Sequence, residues 1–314
     1  MLIKVNLESI CMIWGILIKQ YNPDIVYAHS SKAGAIARIA DVGLKNCLLY
    51  NPHGWAFNMK CSERKKKLYT IIERIAAPFC DRIICISEAE RKSALAKKIC
   101  ADSKLKVIFN GVDIEAYEQK EHGKVSKTDL KIPAGAFVVG MVGRISPQKA
   151  PDVFIKAAKL IKQEIPDAYF IIVGGGEMEN EIKQYAKENE LKNCLHITGW
   201  VDDPLDYVEL FDVACLLSRW EGFGLVLPEY MMVGKPIVAT QVDAIPNIIS
   251  NYQNGILVKV DDEVAVSRAV IEIQKNPMLK NKLVQQGQKD VRLRFDAKRV
   301  SYEHEILFRK LVEQ

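Results

Sequence analysis

The chain has 314 residues, 49% hydrophobic and 26% charged, which excludes a disordered or low-complexity protein and suffices for two domains, each with its own core. Its formal net charge of +5 is spread along the sequence with acidic and basic residues mixed, so no nucleic-acid partner is expected. The eight cysteines (11, 47, 61, 80, 85, 100, 194 and 215) include no C-x-x-C pair, and several lie in apolar runs, the pattern of buried free thiols in a cytoplasmic protein.

The apolar run 10–18 is about ten residues long where a spanning helix needs roughly 20. It is read as an amphipathic or core helix, not an anchor, and no small-residue cleavage site follows it. From Pro23 onward strand and helix alternate. Strand 24–28 leads through His29-Ser30-Ser31 into the Ala-rich helix 31–40, and strand 47–50 ends at Asn51-Pro52-His53-Gly54-Trp55. A helix over about 63–77 precedes strand 82–86, after which Ser87 and Glu90 have the spacing of a capping box. Strand 106–109 closes this half at the turn Asn110-Gly111-Val112-Asp113.

Residues 117–129 are polar, charged and without periodicity, and the domain boundary is placed there, after residue 118. A second series follows: strand 137–142, helix 152–163, strand 169–173 ending in Gly174-Gly175-Gly176, then strands 196–198, 213–217 and 236–239. Apolar strands alternating with helices predict two doubly wound α/β domains with parallel sheets. Ligands in such folds sit beyond the carboxyl ends of the strands, which points to a site in a cleft between the two domains.

The stretch 218–236 stands out. Glu221 and Glu229 flank Gly222-Phe223-Gly224, and Leu225-Val226-Leu227-Pro228 fits a loop turning into a helix. The amides of Phe223 to Leu225 would then lie at a helix N-terminus, suited to hydroxyls or phosphate, with one carboxylate at each end of a small ligand. Either Glu alone reads as a solvated or dipole-favoured residue; the pair around a Gly-Phe-Gly turn reads as a site. At the end of strand 137–142, Gly143 is followed by Arg144 and Lys149, a planar fork and a point charge suited to a diphosphate. Gly174 to Gly176 permit close approach of backbone to a ligand, or tight packing, but form no G-x-G-x-x-G. His53, between Pro52 and Gly54, is as well explained by a bond within its loop as by donation to a substrate oxygen, and His29 is a weaker candidate of the same kind. His122, His196 and His304 read as structural or solvated. No His, Cys, Asp and Glu set has metal-ligand spacing, so neither a metal nor a cofactor is expected. Helix 63–77 opens with Arg64-Lys65-Lys66-Lys67 beside apolar residues; such runs are usually solvated, and a polybasic helix also suits an anionic membrane surface.

Taken together, Glu221 to Glu229 with seven residues between, the Gly-Phe-Gly turn, Arg144, Lys149 and the Asn110 to Asp113 turn resemble the retaining GT-B glycosyltransferases of family 4, or "group 1". The stretch from Pro23 to Gly34 is similar to members that build capsular or exopolysaccharide. The resemblance implies transfer of a hexosyl or N-acetylhexosaminyl group from a nucleoside-diphosphate sugar to a lipid-linked or glycan acceptor, at the inner face of the plasma membrane. It assigns the ribose to Glu229, the donor sugar to Glu221 with Gly222 and the amides of Phe223, Gly224 and Leu225, and the diphosphate to Gly143, Arg144 and Lys149. By the same resemblance Gly175 lies along the donor, Val201 flanks the base and His53 faces the donor sugar. Residues 1–118 would be the acceptor-side domain, 119–296 the nucleotide-sugar domain, and 297–314 a helix returning to the first. Family members usually have roughly two further strand–helix units of about 30 residues each before the Pro23 stretch, so a shortened first domain is expected. The alternatives are a nucleotide-binding subunit that needs a partner chain, and a sugar-nucleotide epimerase.

Overall fold

Short apolar runs closed by polar loops become parallel strands throughout, because only covered sheets bury such runs on both faces. The computed structural model describes residues 7–59 and 61–313. The chain divides into two units: one ends at Asn110 and resumes at Lys298, and the other is Gly111–Ala297.

In the first unit, helix α1 (Leu7–Tyr21) leads to β1 (Ile25–His29), α2 (Ser31–Ala40), β2 (Cys47–Asn51), α3 (Glu63–Ala76), β3 (Arg82–Cys85), α4 (Glu88–Ala96) and β4 (Leu105–Val107). The strands pair in the order β1-β2-β3-β4, all parallel. One face of this sheet buries Leu48, Tyr50, Ile83 and Cys85 with Trp55 and Phe57. Gly34 of α2 lies where a Cβ would come within 2.3 Å of the Tyr50 ring, so the helix rests directly on that side chain. Beside it, Arg38 forms a buried ion pair with Glu73, 3.0 Å, and Glu73 also accepts from the Tyr50 hydroxyl, 2.9 Å. Ser87 caps α4 by accepting from the Glu90 amide, 3.1 Å. Glu90 does not close the capping box on Ser87; it accepts from the Ile86 amide at 2.8 Å, and burial raises its carboxyl to about 7.

The amphipathic pattern of α3 points outward. Leu68, Ile71, Ile72 and Ile75 are exposed, 43–66% of their surface being accessible, while Glu73 is buried. Met12, Ile13, Trp14 and Ile16 of α1 are exposed too, and Cys11 and Ile18 face inward. Among the described residues no helix is long and apolar enough to cross a membrane, and the eight cysteines carry free thiols.

The second unit runs through α5 (Ile114–Gln119), β5 (Phe137–Val142), α6 (Pro151–Glu164), β6 (Ala168–Val173), α7 (Glu179–Glu188), β7 (Leu195–Ile197), α8 (Leu205–Val208), β8 (Val213–Leu216), α9 (Val226–Val233), β9 (Ile237–Thr240), α10 (Ile245–Ile248), β10 (Ile256–Val258), α11 (Glu263–Lys275) and α12 (Pro277–Arg294). Its parallel sheet has the order β10-β9-β8-β5-β6-β7, with the reversal between β5 and β8 that marks a topological switch point. This unit starts at Gly111, ahead of the polar stretch where composition put the boundary. That stretch is pinned to the unit: Lys120 contacts Asp203 and Asp206, each at 2.7 Å, and His122 contacts Glu209 at 2.6 Å. At the boundary itself Val112 and Ala297 exchange bonds with the returning chain, Val112 N donating to Phe295 O and Ala297 N to Val112 O. Helix α13 (Ala297–Val312) follows, and from Lys298 on it belongs to the first unit, with Leu311 buried beside Leu49, Ile84 and Ile108.

Candidate active site

The carboxyl ends of β5, β6, β7 and β8 carry the residues of the second unit that the sequence singles out. Gly143 ends β5 with φ +152°, and its Cβ position lies 3.4 Å from the Lys149 side chain. The following loop is stitched to its neighbour, since Ile145 N donates to Gly175 O, 3.0 Å, and Met178 N to Ile145 O, 3.1 Å. Gly174 and Gly176 are therefore packing glycines. A Cβ would lie 2.2 Å from Gly143 O at Gly174 and 2.5 Å from Ile145 O at Gly176, whereas at Gly175 it would meet only the Trp200 indole, 3.4 Å, and the Glu179 carboxylate. Of the two readings of this triplet, tight packing holds for the outer two. Trp200 is 74% exposed, and Gly199 bridges Gly174, so the segment bearing Val201 lies beside Gly175.

Lys149 and Glu221, 72 residues apart in sequence, form an ion pair, and Ser218 Oγ donates to the same Glu221 oxygen, 2.9 Å. The Glu221 amide donates to Asp243, 2.9 Å. Arg144 bonds Gln148, 3.1 Å, and Gln148 donates to Trp220 O, 3.0 Å. Between them Arg219 binds Asp152, Asp261 and Pro147 O at 2.6, 2.7 and 2.8 Å. The 143–150 and 218–221 loops thus form one polar cluster in which Lys149 reaches the Glu221 carboxylate.

Past Glu221 the chain turns at Gly222, buried Phe223 and Gly224, φ +84°. Helix α9 begins at Val226, with Glu229 in its first turn and the amides of Phe223 to Leu225 immediately ahead of it. Tyr230, on the inner side of the helix, accepts from Val142 N at 2.9 Å and fixes α9 to the end of β5. Glu229 is half-buried; desolvation, with the Asp203 charge second, raises its carboxyl to about 7. Sequence reasoning missed Asp243, Ser218, Gln148 and Arg219, whose signal is only that they too lie in loops at strand ends. Among the described residues no group of His, Cys, Asp and Glu side chains is placed to hold a metal ion.

His53 belongs to the first unit, at the end of β2, with φ +49°. Its Nε2 lies 2.7 Å from Nδ1 of His29 at the end of β1, with the rings stacked 5.0 Å apart. The ring is therefore bonded to a neighbouring strand, while the His53 amide donates within its own loop to Asn51 Oδ1, 2.9 Å. Burial lowers the pKa of both imidazoles; His29 and then His304 lower that of His53 further, and His304 alone does so for His29.

The sequence pattern of the family described as "Glycosyl transferases group 1" matches residues 124–290, and that of "Glycosyltransferase Family 4" matches residues 7–116. The chain belongs to the group 1 glycosyltransferases. It is 32% identical to the Escherichia coli UDP-Gal:alpha-D-GlcNAc-diphosphoundecaprenol alpha-1,3-galactosyltransferase, over 84% of this chain and 69% of that protein. It is 24% identical to the Staphylococcus aureus capsular polysaccharide biosynthesis glycosyltransferase CapM, over 95% and 80%. Among solved structures, Anabaena Alr3699/HepE in complex with UDP superposes with a TM-score of 0.83 at 22% identity, covering 95% of this chain and 82% of that one. Sucrose-phosphate synthase from Thermosynechococcus elongatus gives 0.83 at 20% identity, covering 97% and 78%. The glycosyltransferase therefore has the GT-B class of fold, two doubly wound α/β units.

Proposed function

We propose that this glycosyltransferase moves a sugar, with retention at the anomeric carbon, from a nucleoside-diphosphate sugar to a lipid-linked or polysaccharide acceptor in cell-surface polysaccharide synthesis. The observation that carries the reading is the cluster joining Arg144 and Lys149, at the end of β5, to Glu221 and the start of α9. Arg144 and Lys149 bind the diphosphate and stabilise the charge that develops on it as the sugar leaves, which is electrostatic catalysis. Glu221 and the amides of Phe223 to Leu225 hold the donor sugar, Glu229 the ribose, and Val201 flanks the base. His53, at the end of β2, is proposed to contact a sugar hydroxyl. The carboxylates bind and do not attack, unlike the flanking pair of a retaining glycosidase; the departing phosphate oxygen takes the acceptor proton. The Escherichia coli relative, by its name, uses UDP-Gal and a diphosphoundecaprenol acceptor, which supports a nucleotide-sugar donor and a lipid-linked acceptor here.

Calorimetry with a panel of nucleoside diphosphates tests the donor site. The native chain should bind one base selectively, and Arg144→Ala and Glu229→Ala should each lose that binding. A well-folded native chain that binds none would refute the reading. Release of free nucleoside diphosphate only when acceptor is present separates transfer from epimerisation.

The acceptor's membrane also fits the surface of α3, where exposed Leu68, Ile71, Ile72 and Ile75 share a helix with Arg64, Lys65 and Lys67. Apolar residues that enter the headgroup region beside cations that meet anionic lipid form an interfacial helix. Sedimentation with anionic vesicles should fall when residues 64–67 are neutralised; unchanged binding would remove this part of the proposal.

A further inference from the structure

The first unit holds a polar network that the proposed reaction has not used. It runs from α13 through β1 to β2. His304 Nδ1 lies 2.8 Å from Val300 O, which can only accept, so that nitrogen carries a proton, and in the neutral ring Nε2 is left to accept. The Tyr27 hydroxyl, 3.2 Å away, therefore donates to His304 Nε2. Asn51 Nδ2 donates to the Tyr27 oxygen, 3.2 Å, and Asn51 Oδ1 accepts from the His53 amide, 2.9 Å. Ser30, φ +78°, donates its amide to Asn51 O, 2.9 Å. Two left-handed residues outside glycine, Ser30 and His53, are thus held by bonds that bring the His29 and His53 rings together. Such backbone persists only where the surroundings over-determine it.

The 2.7 Å contact between His29 Nδ1 and His53 Nε2 requires one donor and one acceptor when both rings are neutral. Two arrangements satisfy it. In one, His29 Nδ1–H donates and His53 carries its proton on Nδ1. In the other, His53 Nε2–H donates, His29 keeps its proton on Nε2, and both rings are in the Nε2–H form that free imidazole side chains favour. The second needs no unfavourable tautomer. Resting on the glycosyltransferase reading, we propose that His29 is a positioning residue which draws the His53 proton onto Nε2, so that His53 Nδ1 is held bare to accept from a sugar hydroxyl of a substrate. This reverses the donor role expected from the sequence. The titratable groups facing the pair are Tyr27 from β1, His304 from α13 and Glu90 from α4, whose carboxylate lies 4.0 Å from the Cβ position of Gly54.

Nitrogen-15 NMR of the five histidines in the full chain and in its His29→Phe and His29→Asn variants tests this. Phe keeps a ring beside Tyr27 and removes the acceptor; the Asn carbonyl oxygen stands near the place of Nδ1 and restores it. In the native chain His53 Nδ1 should be unprotonated at neutral pH, and in His29→Phe the His53 titration should move upward with its tautomers mixed. Turnover in His29→Phe should fall roughly tenfold to a hundredfold in kcat, the scale of a misoriented proton-handling group, and His29→Asn should recover most of it. A protonated Nδ1 on His53, a His53 spectrum identical in native and His29→Phe chains, or equal kcat losses in both variants would each overturn the proposal. If the native chain binds no nucleoside diphosphate, the transferase reading fails instead, and the spectrum of the free chain still decides the pair.

Discussion

Replacing Glu229 with glutamine should stabilise the second unit above neutral pH while weakening the proposed nucleotide site. The carboxyl is raised from 4.5 to about 7, first by desolvation and then by Asp203, so the folded chain favours its neutral form more than the unfolded chain does. Its contribution is fully present below pH 4.5 and is lost as pH rises through about 7. At about 1.4 kcal/mol per pH unit the full effect is about 3 kcal/mol, and about 2–3 kcal/mol after allowing for partial exposure. Glutamine is neutral at every pH, so the native and Glu229→Gln chains should melt together near pH 4.5 and separate as pH rises. By pH 8 the variant should melt roughly 5–10 °C higher. Calorimetry on the same samples should show weaker nucleoside-diphosphate binding in the variant, because an amide oxygen is a poorer acceptor for ribose hydroxyls than a carboxylate. Melting followed by circular dichroism from pH 4.5 to 9 measures the first effect. A variant that melts at or below the native temperature at pH 8, with a parallel pH dependence, would refute the reasoning that burial holds this carboxyl high.

The Lys149 and Glu221 pair makes their substitutions non-additive. The loss of donor affinity in the Lys149→Ala/Glu221→Ala chain should be smaller than the sum of the single losses by about 1–2 kcal/mol, and strict additivity in a calorimetric cycle would show that the two act separately. Gly174→Ala sets a Cβ 2.2 Å from Gly143 O at φ +135°; it should cost about 1–3 kcal/mol in strain and displace the Arg144 loop, read as weaker nucleotide binding in a chain that still folds. In the first unit, Glu73→Ala leaves Arg38 buried without its partner and should lower stability by about 3–5 kcal/mol. Urea unfolding checks this, and a midpoint unchanged from the native chain would mean that the pair carries no net weight.

Much of the site was legible in the sequence because strand ends are legible. An apolar run such as 137–142 must be a buried strand, so Gly143, Arg144 and Lys149 fall at its carboxyl end; the same logic places His53, Gly175 and Glu221, and the turn chemistry of Gly222 to Gly224 places Glu229 in a helical first turn. Local pattern could not say which face of α3 looks outward, since an amphipathic period is the same whichever side is buried. Nor could it tell that the polar stretch after Tyr117 is bound to Asp203, Asp206 and Glu209, because charged residues in a tether and in an ion-pair network look alike in sequence. The partners of these side chains were decided by tertiary structure alone. Lys149 meets Glu221, Arg219 meets Asp152, and His29 meets His53 across parallel strands whose order and register place their ends side by side. That adjacency comes from sheet pairing between distant segments, and no spacing along the chain encodes it.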